Sequence, residues 1–528
     1  NTFLGSEAGK GGTTSAPFSS GQSNTALGYG ALTAFTTGYS NVAVGNQAGD
    51  AITSGYENVA VGKGALGAAN DGYQNTAIGH LAMGNSAANA GSGNIAIGYR
   101  AAEEFNDGFA NTYIGTLSGG SEGGVSGDYN IGIGYQADKT RVAGDNNISI
   151  GYRANEMHGL GGGANSIAIG QNASLRYGNI AAGIYQSKSN RIAVGSYAGA
   201  YMTSGVNSTI IGINSYKGNA SVYNATASYV TTLGANTGQY ATGSYNTFIG
   251  AEAGKGGTTS APFSSGQNNT AVGYTAFDAF TTAGYNVHVG HSAGTSITTG
   301  DANTSVGYEA LRDQATSANN TAIGTNALSN SEAADNTAVG KSAGDTIISG
   351  AENTLLGCNV DVASEDNNNN VVIGNNLTAT DKNNAVFIGN NTNHIENDFN
   401  ADATWNYSSD VRQKTNIEDD TLGLDFINKI RPVVYKHKSP SEFPKEWSSY
   451  DADDKEPMGG DKRIHGLSAQ EVKETLDNQG IDTFGGWSEG DDGRQRVSRE
   501  MFVTPLIKAV QELSEKVKQL EAKLSGSI

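Results

Sequence analysis

A short alternation of polar and apolar positions recurs along the first three quarters of the chain. Each unit reads Asn, a β-branched or aliphatic residue, Ala, a second aliphatic residue and then Gly. Clear examples are Asn24–Gly28, Asn41–Gly45, Asn58–Gly62 and Asn75–Gly79, whose glycines are 17 residues apart. A fixed period of this kind is the sequence signature of stacked repeat architectures. The pattern therefore predicts many short, equivalent strands.

The same rhythm extends well beyond these four units. Further corner glycines are Gly98, Gly115, Gly134, Gly151, Gly170, Gly273, Gly290, Gly307, Gly324, Gly340, Gly357 and Gly374. In addition, the block that begins at Asn1 recurs from Asn246, an offset of 245 residues. Two copies of a block of short repeats indicate that a rod grew by duplication.

The order of residues within each unit predicts a parallel β-solenoid. The residues one and three after Asn share one face of a strand, and we expect this face to pack inward. The intervening Ala would then allow close approach on the other face, and Gly would permit the following corner. We expect Asn to adopt left-handed geometry and to bond its own backbone, with Asn over Asn and Gly over Gly in stacked turns.

The unit Asn165-Ser166-Ile167-Ala168-Ile169-Gly170 resembles the head repeats of trimeric YadA-type adhesins more closely than the other units do. The resemblance covers most of residues 1–398. It implies a mainly β fold in which left-handed parallel β-roll repeats form a homotrimeric rod. The periodicity by itself does not show trimerisation and leaves a single-chain solenoid as an alternative.

Composition and charge narrow the classes of function. Glycine numbers 74 and proline only 7, without the every-third-residue glycine of collagen. A net charge of −19 disfavours binding to a phosphate backbone, so nucleic acid is not expected as a partner. The single cysteine, Cys358, excludes an internal disulfide framework and a multi-cysteine metal site.

No membrane or export segment is predicted. No apolar run approaches the roughly 20 residues that span a bilayer, so we expect no membrane insertion. The chain shows no signal peptide and begins inside a repeat, and we expect an attachment domain to precede it.

Candidate contact residues in the repeats are exposed aromatics and long inserts. Tyrosines follow the corner glycine at Tyr29, Tyr99, Tyr135, Tyr152, Tyr274 and Tyr308. The inserts Gly11–Gly21, Lys217–Tyr229 and Gly256–Gly266 are better candidates for partner contact, since loops vary freely on a repetitive scaffold. The scattered histidines show no metal-ligand spacing, and no cofactor or metal is predicted.

Composition changes sharply after a linker or cap at residues 399–408. From residue 409 to 528 charge density rises, and we expect a small α+β domain. The sequence pattern predicts a helix at Thr421–Ile430 and a strand at Arg431–Tyr435. It also predicts that Ile464–Val472 leads into a second helix. The last helix, residues 505–525, should start with Thr504 as N-cap and Pro505 at its first position.

The terminal helix carries an apolar seam with heptad spacing. Its members are Leu506, Val510, Leu513, Val517, Leu520 and Leu524, with alternating steps of four and three residues. Such a seam favours self-association as a coiled coil. It does not distinguish a dimer from a trimer.

Four blocks in this domain resemble the intramolecular chaperone domain of peptidase family S74, found at the C-terminus of phage tail fibres and endosialidase tailspikes. The blocks are Ser409–Lys414, Pro432–Tyr435, Gly466–Val472 and Ala509–Leu513, in family order across some 105 residues. The resemblance implies a domain that directs trimerisation and folding and then releases itself.

Self-cleavage would fall between Ser408 and Ser409. The resemblance implies that Ser409 is the nucleophile and Lys414 the general base, with Asp410 and Arg412 positioning them. A serine hydroxyl needs a nearby base, and a lysine serves only where burial makes some free amine available. Ser–Lys pairs are a known variant of the triad. The reaction would be a single turnover without an external substrate.

We therefore interpret the chain as a phage tail fibre or tailspike-like receptor-binding protein of the virion, made in the host cytoplasm. Its expected partners are two further copies of itself, other tail proteins and a host surface receptor, either a glycan or an outer-membrane component. The alternative is a bacterial trimeric surface adhesin with an uncleaved C-terminal trimerisation cap. A glycan-cleaving spike would need paired carboxylates in a groove, and the repeats offer no convincing pair.

Overall fold

A computed structural model describes most of the 528 residues. The residues outside the description are 13–17, 86–90, 121–126, 140–143, 157–162, 175–188, 203–204, 219–226, 258–263, 400–410, 446, 448, 458–461, 491–492 and 527–528. The chain divides into two compact units, Asn1–Ser408 and Ser409–Ile528.

The first unit consists of very short strands. Within its described residues they are β1 (Thr2–Leu4), β2 (Thr25–Leu27), β3 (Val42–Val44), β4 (Val59–Val61), β5 (Thr76–Ile78), β6 (Ile95–Ile97), β7 (Thr112–Ile114), β8 (Ile131–Ile133), β9 (Ile148–Ile150), β10 (Ile167–Ile169), β11 (Arg191–Val194), β12 (Ser208–Ile211), β13 (Thr231–Leu233), β14 (Thr247–Ile249), β15 (Thr270–Val272), β16 (Val287–Val289), β17 (Thr304–Val306), β18 (Thr321–Ile323), β19 (Thr337–Val339), β20 (Thr354–Leu356), β21 (Val360–Asp361), β22 (Val371–Gly374), β23 (Leu377–Thr378), β24 (Ala385–Gly389) and β25 (His394–Asp398).

The strands stack as a parallel solenoid. Each of β1 to β20 pairs in parallel with the strand one turn later, and the sheet continues through β22 and β24. Equivalent residues lie side by side, as Val42 does with Val59. At the end of the series β25 pairs antiparallel with β24. The predicted parallel β-solenoid is confirmed.

Buried asparagines form a ladder along the solenoid. The Asn41 amide N–H donates to Asn24 Oδ1 at 2.9 Å, and its side-chain amide donates to the Gly55 carbonyl at 2.8 Å. Asn58 repeats both bonds toward Asn41 and Gly72. The expected stacking of Asn over Asn is confirmed. The side chains bond the neighbouring turn, and some of them also bond their own segment's backbone as expected, as Asn286 does with the Gly284 carbonyl at 3.0 Å.

The left-handed position also differs from the expectation, because it falls one residue before Asn. Ser40 and Glu57 have φ of 56° and 58°. The ladder itself changes between Asn147 and Asn246. There its position is held by Ser166, Arg191, Ser208 and Val230.

The corner glycines are required by both backbone geometry and space. Gly28 has φ of 138°, and a Cβ added there would lie 2.4 Å from the carbonyl oxygen of Gly45 in the next turn. Any side chain at this corner would therefore separate consecutive turns.

The inward face of the strands is opposite to the one expected. The strand centre, which is most often Ala, is buried, as at Ala26, Ala43 and Ala60, whereas the flanking β-branched and Leu residues are exposed or half-buried. A three-residue strand in so narrow a coil leaves room for a methyl group, and larger side chains enter from the following turn segment. Leu32 and Leu66 fill the core in this way.

Several strand centres that carry a ring are matched by a glycine six positions later. Where the strand centre is large, as at Phe3 or Phe248, the residue six positions later is Gly9 or Gly254, and an added Cβ there would overlap the ring. His288 faces Gly294 in the same way. In these three pairs a ring at the strand centre leaves room only for Gly six positions later, as expected at crystal-like packing density.

The last residue of each of β1 to β20 is Leu, Val or Ile. We call this row the outer aliphatic ladder, because its members are half-buried or exposed in the single chain, such as Leu27 and Leu356. A contiguous exposed apolar row of this length is typical of an interaction surface.

The second unit is a small α+β fold. Its elements are α1 (Leu424–Lys429), β26 (Val433–Tyr435), β27 (Ile464–Gly466), α2 (Ala469–Gln479), β28 (Trp487–Glu489), β29 (Gln495–Val497) and α3 (Val503–Ser525). β26 pairs antiparallel with β27, and β28 with β29. Among the described residues, no helix has both the length and the apolar character needed to cross a bilayer.

The start of the last helix differs from the prediction. α3 runs on directly from a 3-10 turn at Glu500–Phe502, so Thr504 lies inside the helix and is not its N-cap. Pro505 lies in the first turn, where a missing amide N–H is tolerated, and it is buried.

The core of the second unit is small. Leu422, Phe426, Val472, Leu476 and Phe502 form its buried cluster. The heptad seam of α3 lies outside this core, and in the single chain its side chains are 45–70% exposed.

Candidate functional site

Part of the predicted processing site lies outside the described residues, namely Ser408, Ser409 and Asp410. Arg412 lies in a 3-10 turn at Val411–Gln413, and the Lys414 amide N–H donates to the Val411 carbonyl at 3.1 Å. Both Arg412 and Lys414 are exposed. The roles assigned to these residues stay predictions.

The second and third sequence blocks form one paired ribbon. Val433 lies opposite Gly466, and Tyr435 lies opposite Ile464. Beyond the ribbon, Ser468 caps α2 by accepting the Glu471 amide N–H at 3.4 Å. The spacing within the third block therefore ends a strand and starts a helix.

An ion pair joins the start of β26 to α2. Arg431 Nε donates to Glu471 Oε2 at 3.0 Å, and a second bond joins Arg431 Nη2 to Glu471 Oε1. The side-chain hydrogen bonds from Arg431 lower the pKa of the Glu471 carboxyl. A bidentate pair of this kind fixes orientation more than it adds stability at an exposed site.

The fourth block connects α3 to α1. Ala509 is buried, and Glu512 Oε2 accepts the Leu424 amide N–H at 2.8 Å. Gly423, the N-cap of α1, offers no capping side chain, so Glu512 supplies the acceptor and a negative charge at that N-terminus. Sequence reasoning missed this role because the two residues are 88 positions apart.

The unit also contains a cavity of about 420 Å³ between the ribbon and α2. Tyr435, Gln470 and Arg499 line it together with apolar residues such as Val433 and Val497. The three segments that meet here are far apart in sequence, and no local motif indicated the cavity.

The candidate contact features of the repeats are only partly visible. The three inserts include residues 13–17, 219–226 and 258–263, which lie outside the described part. The six tyrosines named from the sequence are exposed. A separate row, Tyr39, Tyr56 and Tyr73, stacks ring on ring at 4.8 Å between centroids.

A metal-binding arrangement is absent from the described residues, where no three His, Cys, Asp or Glu side chains converge.

Comparison with known proteins gives a family match for part of the second unit. Residues 409–481 match the family described as chaperone of endosialidase, Peptidase S74. No curated protein and no solved structure matches the chain significantly. The C-terminal unit therefore carries a chaperone segment of this family, and the long solenoid before it fits a tail fibre or endosialidase-like protein.

Proposed function

We propose that the chain is a phage tail fibre or tailspike-like protein whose C-terminal unit assembles three copies and then releases itself. The solenoid is the lasting part and presents the receptor-binding surface. The C-terminal unit acts during folding and is cut off between Ser408 and Ser409.

The observation that carries this proposal is where the family match begins. It starts at Ser409, which is also the first residue of the second compact unit. A cut before Ser409 would thus fall at the boundary between the two compact units.

Two unpartnered apolar surfaces support self-association. The α3 seam has the spacing of a coiled coil and is exposed in the single chain. The outer aliphatic ladder offers a second apolar surface along the solenoid. In a closed symmetric assembly of identical chains each of these surfaces can pack against its counterparts.

Repetition itself creates the need for a chaperone. Because successive turns carry nearly the same residues, neighbouring chains could pair one turn out of register with little loss of contact. Long parallel sheets also fold slowly, since each turn needs a correctly placed neighbour. A C-terminal unit that associates first through α3 would align the three chains and set their register.

The proposed cleavage is an acyl shift followed by hydrolysis. Ser409 Oγ attacks the Ser408 carbonyl carbon while Lys414 Nζ takes the hydroxyl proton. The C–N bond then breaks, and the same proton passes to the departing Ser409 amine. Water hydrolyses the resulting ester, leaving a Ser408 carboxylate and restoring the Ser409 hydroxyl.

Exposure of Lys414 gives a reason for cleavage to follow assembly. A lysine becomes a base near neutral pH when burial disfavours its charged form. Lys414 is exposed in the single chain. We infer that packing of neighbouring copies supplies the water-poor surroundings, so that unassembled chains stay intact.

Removal of the chaperone would make the rod kinetically stable. Once the register-setting unit has left, unfolded chains could not readily reassemble, and persistence would depend on the unfolding rate.

Intact-mass spectrometry of the freshly expressed chain tests this function. We expect two fragments divided at Ser408/Ser409 in the parent and a single 54.3 kDa chain in Ser409→Ala and Lys414→Ala. Ser408→Ala is the matched control and should still be cleaved, because its hydroxyl has no role. Cleavage that persists in Ser409→Ala would contradict the assigned nucleophile.

A second candidate is a bacterial trimeric adhesin with a permanent cap. The resemblance of the repeat sequences to YadA-type head repeats favours this adhesin. A parent that assembles into trimers yet stays uncut would support this alternative.

A further inference from the structure

A cavity opens where the first three turns of the solenoid meet. Its volume is about 460 Å³, and its polar or aromatic lining consists of Glu7, Lys10, Tyr29, Thr33, Gln47 and Asp50. None of these residues belongs to the predicted processing site. The cavity lies on the segments that follow the corner glycines, away from the C-terminal unit's sequence.

The cavity exists because one turn lacks a side chain. Gly30 occupies the position between Glu7 and Gln47 in the stack, two residues after the corner. Among the described residues, a Cβ added at Gly30 would find only Thr33 Oγ1 at 3.3 Å and Gln47 Cγ at 3.6 Å. These residues therefore leave the space above the glycine open, with the Tyr29 ring beside it.

The lining combines an aromatic ring with both hydrogen-bond donors and acceptors. Tyr29 is 54% exposed. Glu7 and Lys10 lie 3.7 Å apart, and Asp50 is half-buried, which raises the pKa of its carboxyl. Carboxylates accept, the ammonium donates, and the Gln47 amide does both. The Thr33 hydroxyl donates to the Gly30 carbonyl, so towards a ligand it can only accept. The formal charge of the lining is −1.

The duplicated block keeps the charged pair and the tyrosine 245 residues later. Glu252 and Lys255 pair at 3.0 Å, and Tyr274 is 52% exposed. At the position of Thr33 the second copy has Asp278, and at the position of Asp50 it has Thr295, so the hydroxyl and the carboxylate have changed places. Thr295 Oγ1 donates to Asp278 Oδ1 at 2.8 Å. Both copies thus stack a carboxylate and a hydroxyl beside the charged pair.

The two copies differ at the gap. Thr275 stands where the first copy has Gly30, and its hydroxyl lies 3.1 Å from that of Ser292. Thr275 has φ of 51°, so a threonine is accommodated at this left-handed position. In the second copy a side chain thus occupies the position that is empty at Gly30, and we call this the closed copy.

The charged pair alone does not define a binding site. Arg100 with Glu103 and Arg312 with Glu309 occupy the same positions of other turns. Such pairs support the turn. The open gap at Gly30 beside an exposed ring is what gives the first copy room for a ligand.

We propose that this cavity, which we call the Gly30 pocket, binds a neutral pyranose residue of a cell-surface glycan. A pyranose presents hydroxyls around its edge for Glu7, Lys10 and Gln47 and an apolar C–H face for the Tyr29 ring. The negative lining disfavours uronates and sialates. This inference rests on the proposed receptor-binding role and names the chemistry of the ligand.

The test uses the full chain on an array of immobilised hexose, hexosamine and N-acetylhexosamine oligosaccharides, with uronate- and sialate-containing ones beside them. We expect binding to neutral members. Calorimetry with the bound oligosaccharide should show an affinity loss of about tenfold or more in Tyr29→Ala and in Gly30→Thr, which copies the closed turn.

Tyr274→Ala, the equivalent ring in the closed copy, is the matched control and should bind as the parent does. An array on which no neutral oligosaccharide is bound would overturn the inference, as would equal affinity in Gly30→Thr and the parent. Intact mass and assembly state, measured on the same samples, report separately on the proposed function.

Discussion

The solenoid and the C-terminal unit satisfy their backbone and apolar groups in different ways. In the solenoid each turn completes its neighbour, since Asn41 bonds Asn24 and is bonded by Asn58. The C-terminal unit instead has a small core, and its longest helix, α3, leaves its apolar seam outside that core. One region gains order from repetition within the chain, whereas the other has a surface suited to further copies.

This contrast suggests a division of labour. Once the first turns have formed, each further turn can add to the stack in an ordered way. Because adjacent turns are alike, however, the stack does little to fix the register between neighbouring chains. The C-terminal unit occurs once in the chain and so can define a unique alignment. We therefore expect substitutions in the second unit to affect assembly, and substitutions in the first to affect local stability.

The largest effect is expected from Leu513→Glu in the α3 seam. Leu513 is 50% exposed in the single chain, so the substitution should leave the C-terminal unit folded. In an assembled bundle it would bury several unpaired carboxylates close together, which is strongly unfavourable. Native mass spectrometry should show single chains in place of three-chain assemblies, and cleavage should fail.

Gln519→Glu is its matched control, since it adds the same charge to α3 off the seam. That variant should assemble and be cleaved as the parent is. If Leu513→Glu assembled normally, the seam would have no role in association.

A smaller, local effect is expected from Asn58→Asp in the solenoid. The Asn58 side-chain amide donates to Asn41 Oδ1 at 3.0 Å and to the Gly72 carbonyl at 2.8 Å. A buried carboxylate would face both oxygens, at a cost of about 3–5 kcal/mol. Hydrogen exchange should speed up in β3 to β5.

Asn46→Asp, at an exposed position of the preceding turn, should change the free energy of unfolding by less than about 0.5 kcal/mol. Equal protection in Asn58→Asp and Asn46→Asp would show that the Asn ladder contributes little.

The smallest effect concerns pH and His288. This side chain is fully buried, stacks on Phe277 and lies 2.7 Å from Ser305 Oγ through Nδ1. Burial lowers its pKa to about 3, whereas an unfolded histidine titrates near 6.5. Above about pH 6.5 the His288 imidazole is neutral in both the folded and the unfolded protein. Below pH 6.5 the imidazole binds a proton in the unfolded protein but stays neutral in the folded protein, so the free energy of unfolding falls as the pH drops toward 3.

The matched reference is the double variant His288→Phe, Ser305→Ala, because Phe248 shows that a ring fits this position and Ala is the usual neighbour. Relative to it, the parent should lose about 2 kcal/mol of unfolding free energy between pH 6.5 and 4.5. Parallel pH profiles of the two proteins would contradict this assignment.

Much of the solenoid was predictable because its signals repeat. The strand positions, the parallel stacking and the corner glycines all follow from the repeated sequence pattern that runs from Asn to Gly. The inward face was predicted wrongly, since strict alternation shows that two faces differ but not which one is inside. The width of the coil decides that, and Leu32 in the turn segment occupies the space that Val42 was expected to fill.

The second unit was predictable where its signals are local. The strand ending at Tyr435 and the helix after Ser468 were placed from sequence. The capping of α1 by Glu512 was not, because it depends on a contact across 88 residues. The Ser409–Lys414 assignment came from resemblance to a family, since a serine and a lysine five residues apart carry little information alone.

The central claim is that the C-terminal unit is needed to form the rod but not to keep it. The most direct measurement compares residues 1–408 expressed alone with the same fragment released from the full chain, by native mass spectrometry. We predict trimers only for the released fragment and single or aggregated chains for the fragment expressed alone. Identical stable trimers from both routes would contradict the account.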